Sequence, residues 1–400
     1  MELLTRNVAQ VVDQPNLERK LKAHRRLVVK FGRDPRSATL TLGHSVPLRK
    51  LRQFQLAGHQ IVIVIGDFTA RLGDPNAAEA GRTVLSKADL EKNVREIKKV
   101  FSQVLDPKKT KFTYNSSWLE KLKFDDVIRL ASRFTVQQNI ERDLFQNRIK
   151  LGKPIGLQEF LYPLLQAYDS VFLKPDLEVG GTDQTFNLLA GRQLMKAEGL
   201  EPQDILTVPM LTGTDGREMH TSSGNTINLT DRPNDMFGKL MGVRDDLIVQ
   251  YLTLTTDMDQ KEIDTIAAQL LHGTISPLEA KKILAREIVS LYHSSKDASD
   301  AQSEFENVIQ SKGLPTEIIS FTPGNSVNII ELLVESGLAK SRSEARRLVN
   351  QGGVDEVESE GNVVLNRKTI NDPEATVAPT NVRGRATIIQ VGKRKAVEVK

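Results

Sequence analysis

Tyr162, Gln166 and Asp169 fall at i, i+4 and i+7, a spacing that puts a phenol, an amide and a carboxylate on one face of a helix. Around them Phe160, Leu161, Leu164 and Leu165 are apolar. If that face is buried its polar groups need partners, because each one left unpaired costs about 1–3 kcal/mol. A polar small molecule can supply them; the alternative is a solvated stripe opposite a leucine-rich core face. Pro163 suits a first turn better than an interior, which makes Tyr162 the expected entry residue.

Four other groups carry chemistry or pass for ordinary turns. Thr41-Leu42-Gly43-His44 reads as a helix-capping turn or as a nucleotide cradle. In a cradle glycine admits the ligand to the backbone, the helix start favours phosphate and His44 donates to an oxygen. Residues 66–75 offer Asp67, Thr69 and Asp74 to an ammonium or hydroxyl group, or form an Asp-capped turn. Gly180-Gly181-Thr182-Asp183-Gln184 poses the same choice. Residues 216–225, with small and hydroxylic residues around Gly224, read as a loop that closes over a ligand or as a plain surface turn.

These groups are spaced along alternating strands and helices. Residues 26–31 are β-rich and stop at Gly32, while 60–65 are apolar almost throughout, like a parallel strand buried on both faces. Between them 45–56 carries Leu48, Leu51 and Phe54 at helical intervals, with Pro47 in the first turn and Gly58 at the end. This is a βαβ unit, so a ligand crevice is expected at the strand carboxyl ends, near 32–44 and 66–75. Residues 86–150 read as helical and charged, with Trp118 and Phe124 as core anchors. Residues 170–173 read as a strand leading into the glycine turn, and 206–211 as another apolar run. From 234 to 320 the spacing is helical, as in Ala280, Leu284, Ile288 and Leu291. A linker at 321–326 precedes helices and then short β-rich runs such as 386–391.

Composition narrows the classes. The chain's 400 residues allow two or three domains of roughly 150 each. The longest apolar run, Ile61 to Ile65, is far short of the ~18 residues that cross a bilayer. Residues 1–20 alternate charge and apolarity, without the core of a secretion signal. Cysteine is absent, which removes disulfides and thiolate metal sites and fits a cytoplasmic location. No two of the six histidines stand at helical metal-pair spacing, so no protein metal site is expected; magnesium carried by a nucleotide needs few protein ligands. A net charge of +4 is too small to prove a nucleic-acid partner.

Taken in order, Lys30-Phe31-Gly32-Arg33-Asp34-Pro35, Leu42-Gly43-His44, Gly66-Asp67-Phe68-Thr69, Tyr162…Gln166…Asp169 and 180–184 resemble a bacterial tyrosyl-tRNA synthetase. More narrowly they resemble the branch whose first strand reads K-x-G-x-D-P. Residues 329–353 resemble an S4 RNA-binding domain. Together the matches cover nearly the whole chain. The resemblance implies an α/β fold: a Rossmann-like parallel-sheet catalytic domain (1–230), an α-helical anticodon-recognition domain (231–325) and a small α+β S4 domain (326–400). It implies a class I ligase that joins tyrosine to ATP, brought with Mg2+, and passes it to tRNA(Tyr), acting as a homodimer with no membrane partner. Asp169 is then expected to accept the phenol, with Tyr162, Gln166 and Asp74 on the ammonium and Lys30, Thr69 and Gln184 completing the tyrosine pocket. Asp34, Gly43, His44, Gly181, Asp183 (on the ribose) and Met219 fall to ATP, and Arg82 to the pyrophosphate side.

The departures bear on rate. Thr41 stands where the HIGH signature begins with histidine, and Arg36 where a small hydroxylic residue follows Asp-Pro. The KMSKS loop maps onto Glu218-Met219-His220-Thr221-Ser222, without either lysine. Removing one such donor costs roughly 3 kcal/mol, a hundredfold or more in rate. Arg36, Arg217 and His220 are candidates to replace those lysines, while Glu218 opposes them. The alternative is a synthetase-derived paralogue that binds tyrosine, nucleotide or RNA but activates weakly. At the RNA end 12 Lys and Arg face 10 Asp and Glu between 326 and 400. Arg342, Arg346 and Arg347 share a helix, with Lys393 and Arg394 in a second cluster, as phosphate contacts or a solvated charged face. Residues 355–360 read as an acidic turn that weakens RNA affinity.

Overall fold

The computed structural model describes residues 2–23, 25–72, 86–219, 224–307, 318–322, 326–360, 363–378, 385–392 and 395–400. It forms two compact units, residues 1–231 with 239–284 and residues 232–238 with 285–400.

In the first unit the strands are β1 (Gln10–Val12), β2 (Val28–Arg33), β3 (Gln60–Ile65), β4 (Thr110–Tyr114), β5 (Leu177–Gly181) and β6 (Asp204–Val208). They lie in one sheet in the order β1-β6-β5-β2-β3-β4. Only β1 is antiparallel to its neighbour. Among the parallel strands, chain order runs outward from β2 through β3 to β4 on one side and from β5 to β6 on the other, so the crevice of a doubly wound sheet opens between β2 and β5. Five of the six residues of β3 are buried, as its apolar run requires when helices cover both faces.

The helices are α1 (Gln14–Lys22), α2 (Leu42–Leu56), α3 (Lys87–Val104), α4 (Ser116–Leu119), α5 (Phe124–Ala131), α6 (Val136–Ile140), α7 (Asp143–Lys150), α8 (Leu157–Leu173) and α9 (Thr185–Ala197). Then follow α10 (Pro233–Met241), α11 (Ile248–Thr255), α12 (Gln260–Leu271), α13 (Pro277–Tyr292) and α14 (Ser295–Phe305).

Several boundaries differ from expectation. Thr41 caps α2, which therefore starts before residue 45 and holds Pro47 inside. Residues 170–173 are the end of α8 rather than a strand; the left-handed Lys174 (φ 49°) and Pro175 stop the helix, and β5 follows. The same helix begins at Leu157, where Glu159 Oε1 accepts the Gly156 N–H at 2.7 Å, so Pro163 is interior and Tyr162 is not the entry. A short edge strand, β4, interrupts the stretch read as helical. Trp118 is buried at 3% exposure, but Phe124 stands 78% exposed and is no core anchor.

In the second unit the carboxyl-terminal part comprises β7 (Ile319–Phe321), β8 (Val327–Asn328), α15 (Ile329–Glu335), α16 (Arg342–Asn350), β9 (Val354–Glu360), β10 (Val363–Thr369), β11 (Thr376–Val377), β12 (Arg385–Val391) and β13 (Lys395–Val399). Five of these strands form a sheet in the order β10-β9-β12-β13-β7. Leu332, Leu333, Ala345, Val349 and Ile389 meet in one core that ties α15 and α16 to it. Residues 355–360 are strand β9, not a turn. Neighbouring strands offset its acids, through Arg367 to Asp355 at 3.2 Å and Arg385 to Glu358 at 3.0 Å. The expected linker begins inside β7, where Phe321 accepts the Lys400 N–H at 2.9 Å.

Candidate active site

Each parallel strand delivers side chains at its carboxyl end. Thr69, beyond β3, donates to Asp34 Oδ1 at 2.7 Å, and Tyr162 on α8 donates to Asp34 Oδ2 at 3.1 Å. Asn115, beyond β4, donates to Thr69 Oγ1 at 3.1 Å. Gly66 is required here, since a Cβ would overlap both the Asp34 carboxylate and the Thr69 hydroxyl. Asp67 instead holds the start of α4, accepting the Ser116 N–H at 3.0 Å and its hydroxyl at 2.6 Å.

Asp169 lies at the bottom of this network, 4% exposed. The Trp118 indole donates to Oδ1 at 2.8 Å and Asn115 reaches Oδ2 at 3.4 Å. Burial pushes the carboxyl up to about 7 from an ordinary 3.8, with Lys30, Trp118 and Asn115 pulling the other way and Glu178 adding to the rise. One turn back, Gln166 Oε1 is buried with no hydrogen-bond partner among the described residues. An orphaned acceptor of this kind costs about 1–3 kcal/mol until a donor arrives.

At the start of α2, His44 Nδ1 accepts the Thr41 backbone N–H at 3.0 Å and lies 2.9 Å from Thr41 Oγ1. The backbone N–H can only donate, so the ring proton of the neutral imidazole sits on Nε2. Lost hydration, then the nearby Arg33, lowers His44 to about 3, which keeps it neutral. A Cβ at Gly43 would meet Met219 Sδ at 3.6 Å, so Met219 packs over the helix start. Gly181 leaves room for Asp183, whose Oδ2 accepts Gln184 Nε2 at 2.8 Å.

The structure thus gathers Asp34, Thr69, Tyr162, Gln166 and Asp169, and separately Thr41, Gly43, His44 and Met219. The ammonium of Lys30 is held elsewhere, by Glu178 Oε1 at 3.0 Å and Ser170 Oγ at 2.8 Å. Asp74, Arg82, His220, Thr221, Ser222, Lys393 and Arg394 lie outside the described residues. Arg36 donates to the Ala70 carbonyl at 3.4 Å. Arg217, considered above for the lysine role, is engaged by Asp215 at 2.8 and 2.6 Å. Asn225 first, and then Arg217, draw Asp215 down to about 2. The side chain of Glu218 is exposed. Arg342, Arg346 and Arg347 are exposed on α16, with Arg342 3.1 Å from Glu331. Asn115 was missed because its strand was, and Trp118 because it read as packing. Among the described residues no cluster of three metal-ligating side chains occurs.

Residues 22–310 match the family model of class I tRNA synthetases (W and Y), and 304–399 that of the tyrosine–tRNA ligase SYY-like C-terminal domain. Fold, crevice and match define the class as a class I tRNA synthetase. Similarity narrows it further: the sequence is 43% identical to the tyrosine–tRNA ligase of Thermotoga maritima, over 99% of this chain and 96% of that one. It is 42% identical to that of Carboxydothermus hydrogenoformans, over 100% and 97%. The chain belongs to the tyrosine–tRNA ligase family. Its fold is shared with the tyrosyl-tRNA synthetase of Archaeoglobus fulgidus complexed with L-tyrosine (24% identity, TM-score 0.61, covering 75% of this chain and 98% of that one). It is shared too with a C-terminally truncated mitochondrial tyrosyl-tRNA synthetase of Aspergillus nidulans (23%, TM-score 0.63, 76% and 92%).

Proposed function

We propose that the chain joins tyrosine to the α-phosphate of ATP, releasing pyrophosphate, and transfers the tyrosyl group to the terminal ribose of tRNA(Tyr). The observation that carries this is Asp169, a buried carboxylate held by an indole and an amide beside an orphaned Gln166 acceptor. A phenol hydroxyl donates to the carboxylate, and the amino group of the substrate donates to Gln166, with Tyr162 beside it; the family pattern assigns Asp74 to the same group. Neutral His44 presents Nε2–H to the phosphates at the start of α2, where the helix field favours negative charge. Asp183 takes the ribose hydroxyls, and Mg2+ enters as part of the ATP substrate.

The expected division at about 230 and 325 belongs to this proposal, with catalysis, anticodon contact and S4-like RNA binding in turn; Arg342, Arg346 and Arg347 meet phosphates. So does a homodimer in the cytoplasm. Phe124, Ile128, Val136, Leu157, Phe172 and Leu189 are all exposed, an apolar supply that pairing with a second copy would cover. Among the described residues no helix is long and apolar enough to cross a membrane.

A second reading, a paralogue that binds tyrosine but activates it slowly, has one observation in its favour. The loop lacks both lysines and its Arg217 is engaged by Asp215. Tyrosine-dependent exchange of labelled pyrophosphate into ATP by the purified chain separates the two. Vigorous exchange supports the ligase. Silence from folded protein, with exchange appearing in the Glu218→Lys/Thr221→Lys variant, supports the paralogue.

A further inference from the structure

Lys30 and Glu178 form a buried ion pair that the proposed reaction does not use directly. Each is 1% exposed, one on β2 and the other on the adjacent β5. The ammonium lies 3.0 Å from Glu178 Oε1 and donates to Ser170 Oγ at 2.8 Å; Ser170 in turn donates to Glu178 Oε2 at 3.3 Å. Gln203 Nε2 also donates to that oxygen. Ser170 follows Asp169 directly in α8, so the pair sits against the very turn that presents the carboxylate to the crevice. Two buried charges carry a steep desolvation penalty, and an apolar pair of similar volume is often as stable. Stability alone is therefore weak grounds for their presence.

We propose that Lys30 and Glu178 are positioning residues acting through Asp169: their opposed charges set the pH range over which that carboxylate is ionised and takes a phenol. This rests on Asp169 being the group that reads tyrosine. Among the described residues, four side chains act on the Asp169 carboxyl. Lys30 comes from β2 and favours its ionised form, and Glu178 comes from β5 and opposes it. Trp118 and Asn115, beyond β4, are neutral donors that favour ionisation. Asp34, directly after β2, reaches this carboxylate through Thr69 and Asn115, and Tyr162 on α8 donates to Asp34. Opposite charge at close range lowers a carboxyl pKa and like charge raises it. Removing Lys30 must then move Asp169 one way and removing Glu178 the other. A purely structural pair gives no such opposition of sign.

The chain supplies its own reporter. Trp118 is its sole tryptophan and its indole donates to Asp169 Oδ1 at 2.8 Å. Emission from Trp118, followed against pH without any ligand, should show an inflection near 7 that the Asp169→Asn variant lacks. Lys30→Met should move the inflection up by about one pH unit and Glu178→Gln should move it down. If Lys30→Met fails to fold, Lys30→Met/Glu178→Leu, an apolar pair, carries the test and must still move it up. Equilibrium dialysis of tyrosine is the second arm. Below the inflection Lys30→Met should bind tyrosine about tenfold more weakly, and recover about one pH unit higher. An inflection fixed in all variants, with only thermal stability altered, overturns the proposal and leaves the tyrosine site standing. Inflections that shift as stated in a chain that binds no tyrosine at any pH overturn the site itself, and this inference with it.

Discussion

At the scale of single residues, Asp169 and His44 pull stability in opposite directions with pH. Asp169 has its carboxyl raised from 3.8 to about 7, so the folded chain holds a proton that the unfolded chain has released. Stability from this source is intact below 3.8, declines as pH rises toward 7 and is lost above it, on the order of 4 kcal/mol in all. Asp169→Asn should therefore make the unliganded chain more stable to urea at pH 8 by roughly 2–4 kcal/mol while weakening tyrosine binding. A variant both weaker-binding and less stable would contradict this. His44, lowered from 6.5 to about 3, gives the opposite slope, with stability present above 6.5 and lost as pH falls toward 3. His44→Gln keeps an acceptor for the Thr41 N–H but removes the group that must charge in acid. Urea midpoints should lose part of their fall between pH 6 and 4, and exchange should drop about a hundredfold for want of the Nε2–H donor.

Elements were legible where periodicity and residue type agreed. The unit of β2, α2 and β3 followed from an apolar run, a helical interval and a glycine, and the stripe at 162, 166 and 169 from helix geometry. What was lost had local causes. The strand β4 is five residues within a charged stretch, and its pairing with β3 is a tertiary fact. Pro163 misplaced the start of α8, because capping by Glu159 and Gly156 set the start six residues earlier and the helix tolerates the proline inside. Residues 355–360 looked like a turn on charge alone, but cross-strand arginines make an acidic central strand tenable. The turn after β3 yields the sharpest test at this scale. Gly66→Ala forces a methyl into Asp34 and Thr69, two residues that also anchor Tyr162 and Asn115. Tyrosine affinity by dialysis should fall at least about tenfold, with far-UV circular dichroism unchanged; wild-type affinity would show the Asp34–Thr69 contact to be dispensable.

For the molecule as a whole, two features decide what the ligase family membership means in practice. One is the exposed apolar supply between Phe124 and Leu189. If it is a dimer face, Phe124→Asp/Leu157→Asp should sediment as a monomer, and equal masses for variant and parent would remove that assignment. The other is substrate choice, which brings crevice, helix and buried carboxylate to bear at once. The most direct measurement is pyrophosphate exchange driven by tyrosine and by phenylalanine, in the parent chain and in Asp169→Asn. A site that reads the phenol with a buried carboxylate predicts a preference for tyrosine of about 10⁴ or more in kcat/KM, collapsing in the variant. Comparable rates with both amino acids, or a preference that survives Asp169→Asn, would contradict it.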